Sequence, residues 1–385
     1  MKTIVIGAGI LGLTAAHSLS LRGHEVMLLE KEAPFAGASH RSFAWLNANN
    51  KFPESYYRIN REGLEEHKRL QADLPSDRTW LHRSGNLLVD FGQTRPETYA
   101  KRVADAQGMG YPVETVDLRQ LRELEPAVQW PDELDSALLY PEEAWLDNDV
   151  LGQELLRVLA DRGVEPRIAE VVRVESDDSG ARAVLSDGAE VRADSVVVAT
   201  GAWSGKLAAA SGLFVPVADL EAEQSTRTHS LLGLTEPVDI ALQRLIISDR
   251  VNVRPRHDGR MWVQVARIEH RVEEGEDPQM LAEVSAVMEE ELERLFGQRV
   301  PMERVIRSGR SFPEDGHSIV GFLDEARKVY AVVTHSGMTL GPLFGRFTAE
   351  ELEGAESELL ADFRPSRFDG GEVESADFDY FIGRQ

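Results

Sequence analysis

Residues 1–30 read MKTIVIGAGILGLTAAHSLSLRGHEVMLLE, and their reading decides the fold. Thr3 to Ile6 form a short apolar, β-rich run. Gly7, Ala8, Gly9, Ile10, Leu11 and Gly12 then spell G-x-G-x-x-G. A helical segment follows through Leu21, Gly23 closes it, and Val26 to Leu29 make a second apolar strand ending at Glu30. Each glycine has a physical task in such a unit. Gly7 permits the sharp turn, Gly9 lets a pyrophosphate approach the backbone, and Gly12 lets the helix lie close to the strand. Free N–H groups and the helix dipole at Gly9, Ile10 and Leu11 favour the phosphate charge. Glu30 falls eighteen residues after Gly12, where an acid accepts hydrogen bonds from a ribose diol. Strand, glycine turn, helix and answering acid together predict a dinucleotide site.

The composition bounds what else the chain does. Its 385 residues predict two domains with ample core, and 42% hydrophobic with 28% charged residues is ordinary for a globular protein. Acids number 66 against 42 bases, a net charge of −24. Nucleic acid and anionic lipid would be repelled by that charge. Without cysteine, the chain has no disulfides, thiolate metal sites or cysteine nucleophiles. Glycines interrupt the apolar start, so a secretory signal is not expected, and no stretch is long enough to span a bilayer. The expected location is the cytoplasm.

Further along, Lys31 to Ser42 is a loop of small residues at the carboxyl end of the second strand, on the ligand side of such a sheet. Lys31, Ser39, His40, Arg41 and Ser42 are candidate contacts there. Helices are expected over 53–72, 95–109, 118–126 and 150–160, and strands around a turn at Ser84-Gly85-Asn86. Asp147, Asn148 and Asp149 offer caps to the last of these helices. Val171–Glu175, Ala183–Ser186 and Glu190–Ala193 read as three short strands. Ser195 to Ser204 reads as a buried parallel strand that breaks at a glycine, its apolar run ending in Thr200-Gly201. Residues 215–305 differ: Ile240–Ser248, Val251–Arg256 and Met261–Ile268 alternate as an antiparallel sheet does, and Gln279–Phe296 is an acidic amphipathic helix. No His/Asp/Glu cluster there has metal-ligand spacing. Val329–Val333 is one more buried strand. The glycine-bearing loop after it, His335 to Pro342, opens a helix and makes a second anion site. The tail beyond Pro365 is expected to wrap the surface.

Four blocks in this order resemble the D-amino acid oxidase-like, FAD-dependent oxidoreductases, which include glycine oxidase, sarcosine oxidase and D-amino acid dehydrogenase. They are GAGILG with Glu30, GASHRS, VVVATGAWS, and GRSFPEDGHSIVG followed by THSGMTLGP. The resemblance implies an α/β fold: a Rossmann-like FAD-binding domain (1–85, 146–214 and 306–385) with an inserted antiparallel-sheet substrate domain (86–145 and 215–305). It implies FAD rather than a nicotinamide. Gly7, Gly9 and Gly12 would hold the pyrophosphate, Glu30 the adenosine ribose, and Val171 would meet adenine. Ala199, Thr200, Gly201 and Trp203 would line the cofactor, and Gly337, Met338, Thr339 and Leu340 would face the pyrimidine end of the flavin. Arg310 matches the arginine that holds a substrate carboxylate, although Ser311 stands where the family block has proline. Its alternative role is a structural arginine paired to an acid.

The implied chemistry is hydride transfer from an amine-bearing carbon to the flavin, with hydrolysis of the resulting imine. The substrate would be a small amino acid or secondary amine, and O2 or another acceptor would take the electrons. His335 is placed by the motif to tune the flavin, with a satisfied core histidine as its alternative. His40 corresponds to a loop histidine that carries the flavin covalently in some relatives. Trp45 and Tyr56 are expected to pack in the core, with lining the site as their alternative. The competing functions are oxidation of a 2-hydroxy acid or a larger natural product, or service as the FAD subunit of a heteromeric dehydrogenase. A homo-oligomer is compatible with all of them.

Overall fold

The computed structural model describes residues 1–92, 96–371 and 373–376. A six-stranded sheet forms its first half, in the order Ile319–Phe322, Val329–Val333, Ser195–Val198, Lys2–Ile6, Glu25–Glu30, Arg167–Ile168. The central pairs are parallel: Ile6 lies beside Leu29 on one side and Val198 on the other. Both faces are covered, which explains why these strands are continuous apolar runs. Period-2 alternation assigns the faces. Val5, Leu28 and Val197 pack under the helices Ile10–Leu21, Glu54–Asp73, Asn148–Asp161 and Gly337–Leu352. Ile4, Ile6, Val196 and Val198 pack under a three-stranded meander, Val171–Asp177, Gly180–Leu185 and Glu190–Ala193.

The second half is an eight-stranded sheet, ordered Met302–Gly309, His229–Thr235, Met261–Gln264, Asn252–Pro255, Leu245–Ser248, Asn86–Val89, Ser136–Tyr140, Glu114–Asp117. One face holds Leu87, Leu231, Ile246, Val253 and Val263 against the helix Pro278–Phe296. The other holds Leu88, Leu138, Leu232, Ile247 and Trp262, which belong to the same core as the first-half helices. The acidic helix thus buries Met280, Val284, Met288 and Leu292, with Asp277 capping its start and Gly297 in the left-handed region at its end.

Several local expectations are corrected. Leu245–Ser248 pairs in parallel with Asn86–Val89, so the sheet is mixed. Ala266–Glu274 is a 3-10 helix rather than the end of a strand. Leu81–His82 and Asn86–Val89 flank Gly85 but enter different sheets, because Leu81–His82 pairs with Ala144–Leu146. Asp147 does not cap the helix after it; its side chain accepts hydrogen bonds from the backbone and ring of His257. The division expected at 305/306 falls inside the strand Met302–Gly309. Part of the expected tail lies outside the described residues, as does Arg95 of the expected helix over 95–109.

The first helix reaches the sheet by dispensing with side chains. A Cβ on Gly12 would lie 1.7 Å from the Gly7 carbonyl oxygen, and one on Gly7 (φ +99°) would lie 2.5 Å from the Ala199 oxygen. Gly345 makes the same concession on the C-terminal helix, where a Cβ would meet the Thr14 backbone at 2.6 Å. Gly12→Ala is therefore expected to cost about 3 kcal/mol or more in urea unfolding, beyond ordinary overpacking because backbone must move. Gly108→Ala, on an exposed helix end with nothing near its Cβ, is expected to be neutral or up to about 1 kcal/mol stabilising.

Candidate functional site

A cavity of about 820 Å³ runs along the carboxyl ends of the parallel strands and under the mixed sheet. Its near end is lined by Gly7, Gly9, Ile10, Leu11, Glu30, Lys31, Ser39, Arg41, Ser42, Val171, Ala199, Thr200, Gly201 and Trp203. Its middle is lined by Gly337, Met338, Thr339 and His335, and its far end by Trp45, Lys51, His229, Ser230, Gln264, Arg307 and Arg310. Three residues expected at the site do not line it. Gly12 lies beneath, against Gly7. Leu340 is turned into the core. His40 directs its ring away, with Nδ1 on the Asp149 carboxylate at 2.6 Å.

Two helix starts converge on this cavity. The first begins after Gly9, where the Ile10 N–H donates to Ser39 Oγ at 2.9 Å. A Cβ on Gly9 would lie 3.1 Å from that same Oγ, a tight contact that would press on the Ser39 side chain at the cavity floor. The second helix begins at Gly337, beside Ile10. Thr14 ties the two together by donating to the Gly341 carbonyl at 2.8 Å. Glu30 accepts the N–H groups of Ala8 at 2.7 Å and Glu32 at 3.0 Å, so it braces the glycine turn as well as presenting its carboxylate to the cavity.

His67, which the sequence did not single out, supports the second helix start from behind. Its Nε2 donates to the Met338 carbonyl at 2.7 Å, and Nδ1 has no partner among the described residues. The ring is fully buried and burial lowers its pKa to about 4, so it is neutral with the proton on Nε2. Gly63, one turn away on the same helix, has no room for a Cβ, which would sit 2.7 Å from the Thr339 oxygen.

At the far end, Arg310 is 9% exposed and already engaged: Nη2 donates to Glu269 at 2.9 Å and Nη1 to the Thr226 carbonyl at 3.1 Å. Glu269 is 1% exposed and also accepts the Leu231 N–H at 3.3 Å. Burial raises its pKa, and the Arg310 charge pulls it back. The arginine expected to hold a carboxylate is thus at the cavity but carries its own counter-ion. His229 begins a strand whose register sets it opposite Gly309, next to Arg310. Desolvation, Arg307 and Arg310, in that order, lower its pKa to about 4. Gln264 reaches across to Ser230, donating to Oγ at 3.0 Å. Trp45 lines the cavity with its indole N–H fixed to the buried Glu143 at 2.8 Å, while Tyr56 holds Ser336 at 2.7 Å between hydroxyls and stays in the core. His335 meets Phe312 edge to face. His229, Gln264 and Glu269 lie on separate short elements with no local motif, and only strand pairing assembles them.

The family model described as DAO, FAD dependent oxidoreductase, matches residues 2–351. The chain belongs to this family. Glycine oxidase of Geobacillus kaustophilus is 23% identical over 95% of this chain and 97% of its own length. The 4-methylaminobutanoate oxidase (formaldehyde-forming) of Paenarthrobacter nicotinovorans is 29% identical over 56% of this chain, which spans 26% of that longer protein. Among solved structures, glycine oxidase from Geobacillus kaustophilus superposes with a TM-score of 0.80 at 21% identity, covering 94% of this chain and 98% of that one. L-proline dehydrogenase from P. horikoshii superposes at 0.78 and 18%, covering 97% and 99%. The chain is thus an oxidoreductase of a family whose relatives act on amino acids and amines. No helix among the described residues is long and apolar enough to cross a membrane.

Two measurements follow from this geometry. Breaking the buried pair from either side, with Arg310→Met or Glu269→Leu, is expected to cost about 3–5 kcal/mol in urea unfolding, because one buried charge is left alone; the double variant should recover most of that loss. For His67 the native ring stays neutral while the unfolded ring takes up a proton below its usual pKa of 6.5. Its contribution is therefore present above pH 6.5 and lost as pH falls towards 4. The loss amounts to about 3 kcal/mol. His67→Gln, which can still donate to Met338, should flatten that part of the stability–pH curve.

Proposed function

We propose that this oxidoreductase binds FAD in the cavity and oxidises a small amino acid or secondary amine. The observation that carries the reading is the single cavity joining a glycine-floored nucleotide end to an end lined by His229, Gln264 and Arg310. The nucleotide end fits the group. The space above Gly9 is kept by the missing Cβ, both helix starts supply positive dipole ends, and Glu30 keeps a carboxylate on the cavity wall. In this reading Gly7, Gly9 and Leu11 take the pyrophosphate, Glu30 the ribose, and Val171 the adenine. Ala199 to Gly201 flank the cofactor, and Gly337 to Thr339 meet the pyrimidine edge. Bound there, FAD would supply a two-electron acceptor for the hydride of the amine-bearing carbon, leaving the protonated imine for water to hydrolyse.

The chain's residues do the rest. Arg307 and Arg310 place positive charge at the substrate end, which favours a carboxylate and opposes an ammonium, so the amine is held in the neutral form whose lone pair forms the imine. Trp45 and the sheet face containing Leu232 wall the substrate end with apolar surface.

The test is an absorbance spectrum followed by anaerobic addition of glycine, N-methylglycine, D-alanine, D- and L-proline and 4-methylaminobutanoate, in parallel with a 2-hydroxy acid series. Bleaching of a flavin band by an amine is the expected outcome, and admitting air then shows whether O2 restores it. Bleaching by hydroxy acids alone would move the reading to alcohol oxidation; a protein that retains no flavin after reconstitution would overturn it.

A further inference from the structure

His229 has a hydrogen-bonding state that the surrounding atoms determine. Thr228 Oγ1 has one proton, and its closest acceptor is the Glu223 carbonyl at 2.7 Å, with the Ser225 carbonyl at 3.2 Å. The same oxygen lies 3.0 Å from His229 Nδ1. With the hydroxyl proton committed to the carbonyls, that contact needs the proton on Nδ1. The Glu223 carbonyl would otherwise face the hydroxyl oxygen at 2.7 Å with no proton between them. The imidazole is neutral, because burial and the two neighbouring arginines oppose its protonation. Nε2 is therefore a bare acceptor. It has no hydrogen-bond partner among the described residues and is not among the sealed-off polar atoms, although the residue is 94% buried and lines the cavity.

A buried acceptor left open towards a binding cavity calls for a donor from the ligand, since an unmet one costs binding free energy. The other polar groups at this end are differently matched. Arg307 and Arg310 only donate, and one of the two amide N–H groups of Gln264 is held by Ser230 Oγ.

Resting on the amine-oxidation reading above, we propose that His229 Nε2 accepts the N–H of the substrate amine and is a specificity-determining residue. It selects primary and secondary amines over tertiary ones. A neutral secondary amine gives its single N–H to Nε2 and keeps its lone pair for the imine. A neutral tertiary amine has no N–H and leaves Nε2 unmet. The arginines beside it suit the carboxylate of an amino acid, so the class is an α-amino or N-monoalkyl amino acid bound with its amine neutral.

The test uses the flavin-loaded enzyme, with glycine, N-methylglycine and N,N-dimethylglycine, and the same three steps of methylation on alanine and on 4-aminobutanoate. Wild type is expected to be reduced at least 10-fold less efficiently by the tertiary member of whichever series is active. His229→Leu should lower kcat/KM for the N–H members by 10-fold or more and level the preference. His229→Gln, which restores an acceptor oxygen, should recover most of it. Independently of turnover, 15N-histidine-labelled holoenzyme should show one Nε2 resonance, absent in His229→Gln, that is unprotonated at pH 7 and shifts on adding the amines but not on adding acetate, propionate or butyrate. Equal reduction of wild type and His229→Leu by secondary and tertiary amines, or an Nε2 resonance that no amine shifts, overturns the proposal. Failure of the underlying reading is seen separately, as a wild-type flavin that no amine bleaches.

Discussion

The structure depends on one close approach: the first helix lies so near the first strand that the Gly12 position touches the Gly7 carbonyl. Everything at the nucleotide end follows from it. The helix start projects its N–H groups over the strand ends only because no Cβ props it away. The C-terminal helix then packs across the first through Gly341 and Gly345, which brings its own start beside Ile10. Two helix dipoles therefore point into one cavity. His67 and Gly63 hold that second start from below, one by a hydrogen bond to Met338 and the other by leaving room for Thr339.

The substrate end obeys a different constraint. Charge there is only partly balanced: Arg310 has Glu269 beneath it, Arg307 donates to the neutral Val272 carbonyl and Gln224, and His229 stays neutral under the pressure of burial and of two guanidinium groups. A neutral acceptor beside partly compensated cations suits a ligand that brings its own negative charge and an uncharged nitrogen. Exposed ion pairs away from this end, such as Arg119 with Glu123, each contribute little to stability.

Between the two ends, the mixed sheet grips the loop that follows the second strand. Arg254, fully buried, donates to the Phe43 carbonyl and to Asn148, and stacks its guanidinium over Trp145. Asn148 in turn donates to the carbonyls of Ser39 and His40, and Asp149 takes both His40 and Arg256. The stretch read as helix caps and contact residues is thus a joint between the halves. It holds Ser39 and Phe43 at the cavity while directing His40 away.

The nucleotide end was legible in the sequence because its constraint is local. Glycine spacing, apolar strands and Glu30 lie within thirty residues, and the physics linking them is the geometry of one strand–turn–helix unit. The later buried strand at Ser195–Val198 and the loop at His335–Pro342 could be read for the same reason. The substrate end was not legible in this way. His229, Gln264, Glu269 and Arg310 come from a strand, a second strand, a 3-10 helix and a loop, and they meet only through sheet pairing. Arg310 was visible as a cation, but its counter-ion forty-one residues earlier was not. The sequence by itself determined the glycine turn and the parallel strands around it, since short-range sterics settle those, and its four blocks pointed to the family. Tertiary structure alone decided which side chains line the far end of the cavity and in what charge state, because burial and cross-strand neighbours set both.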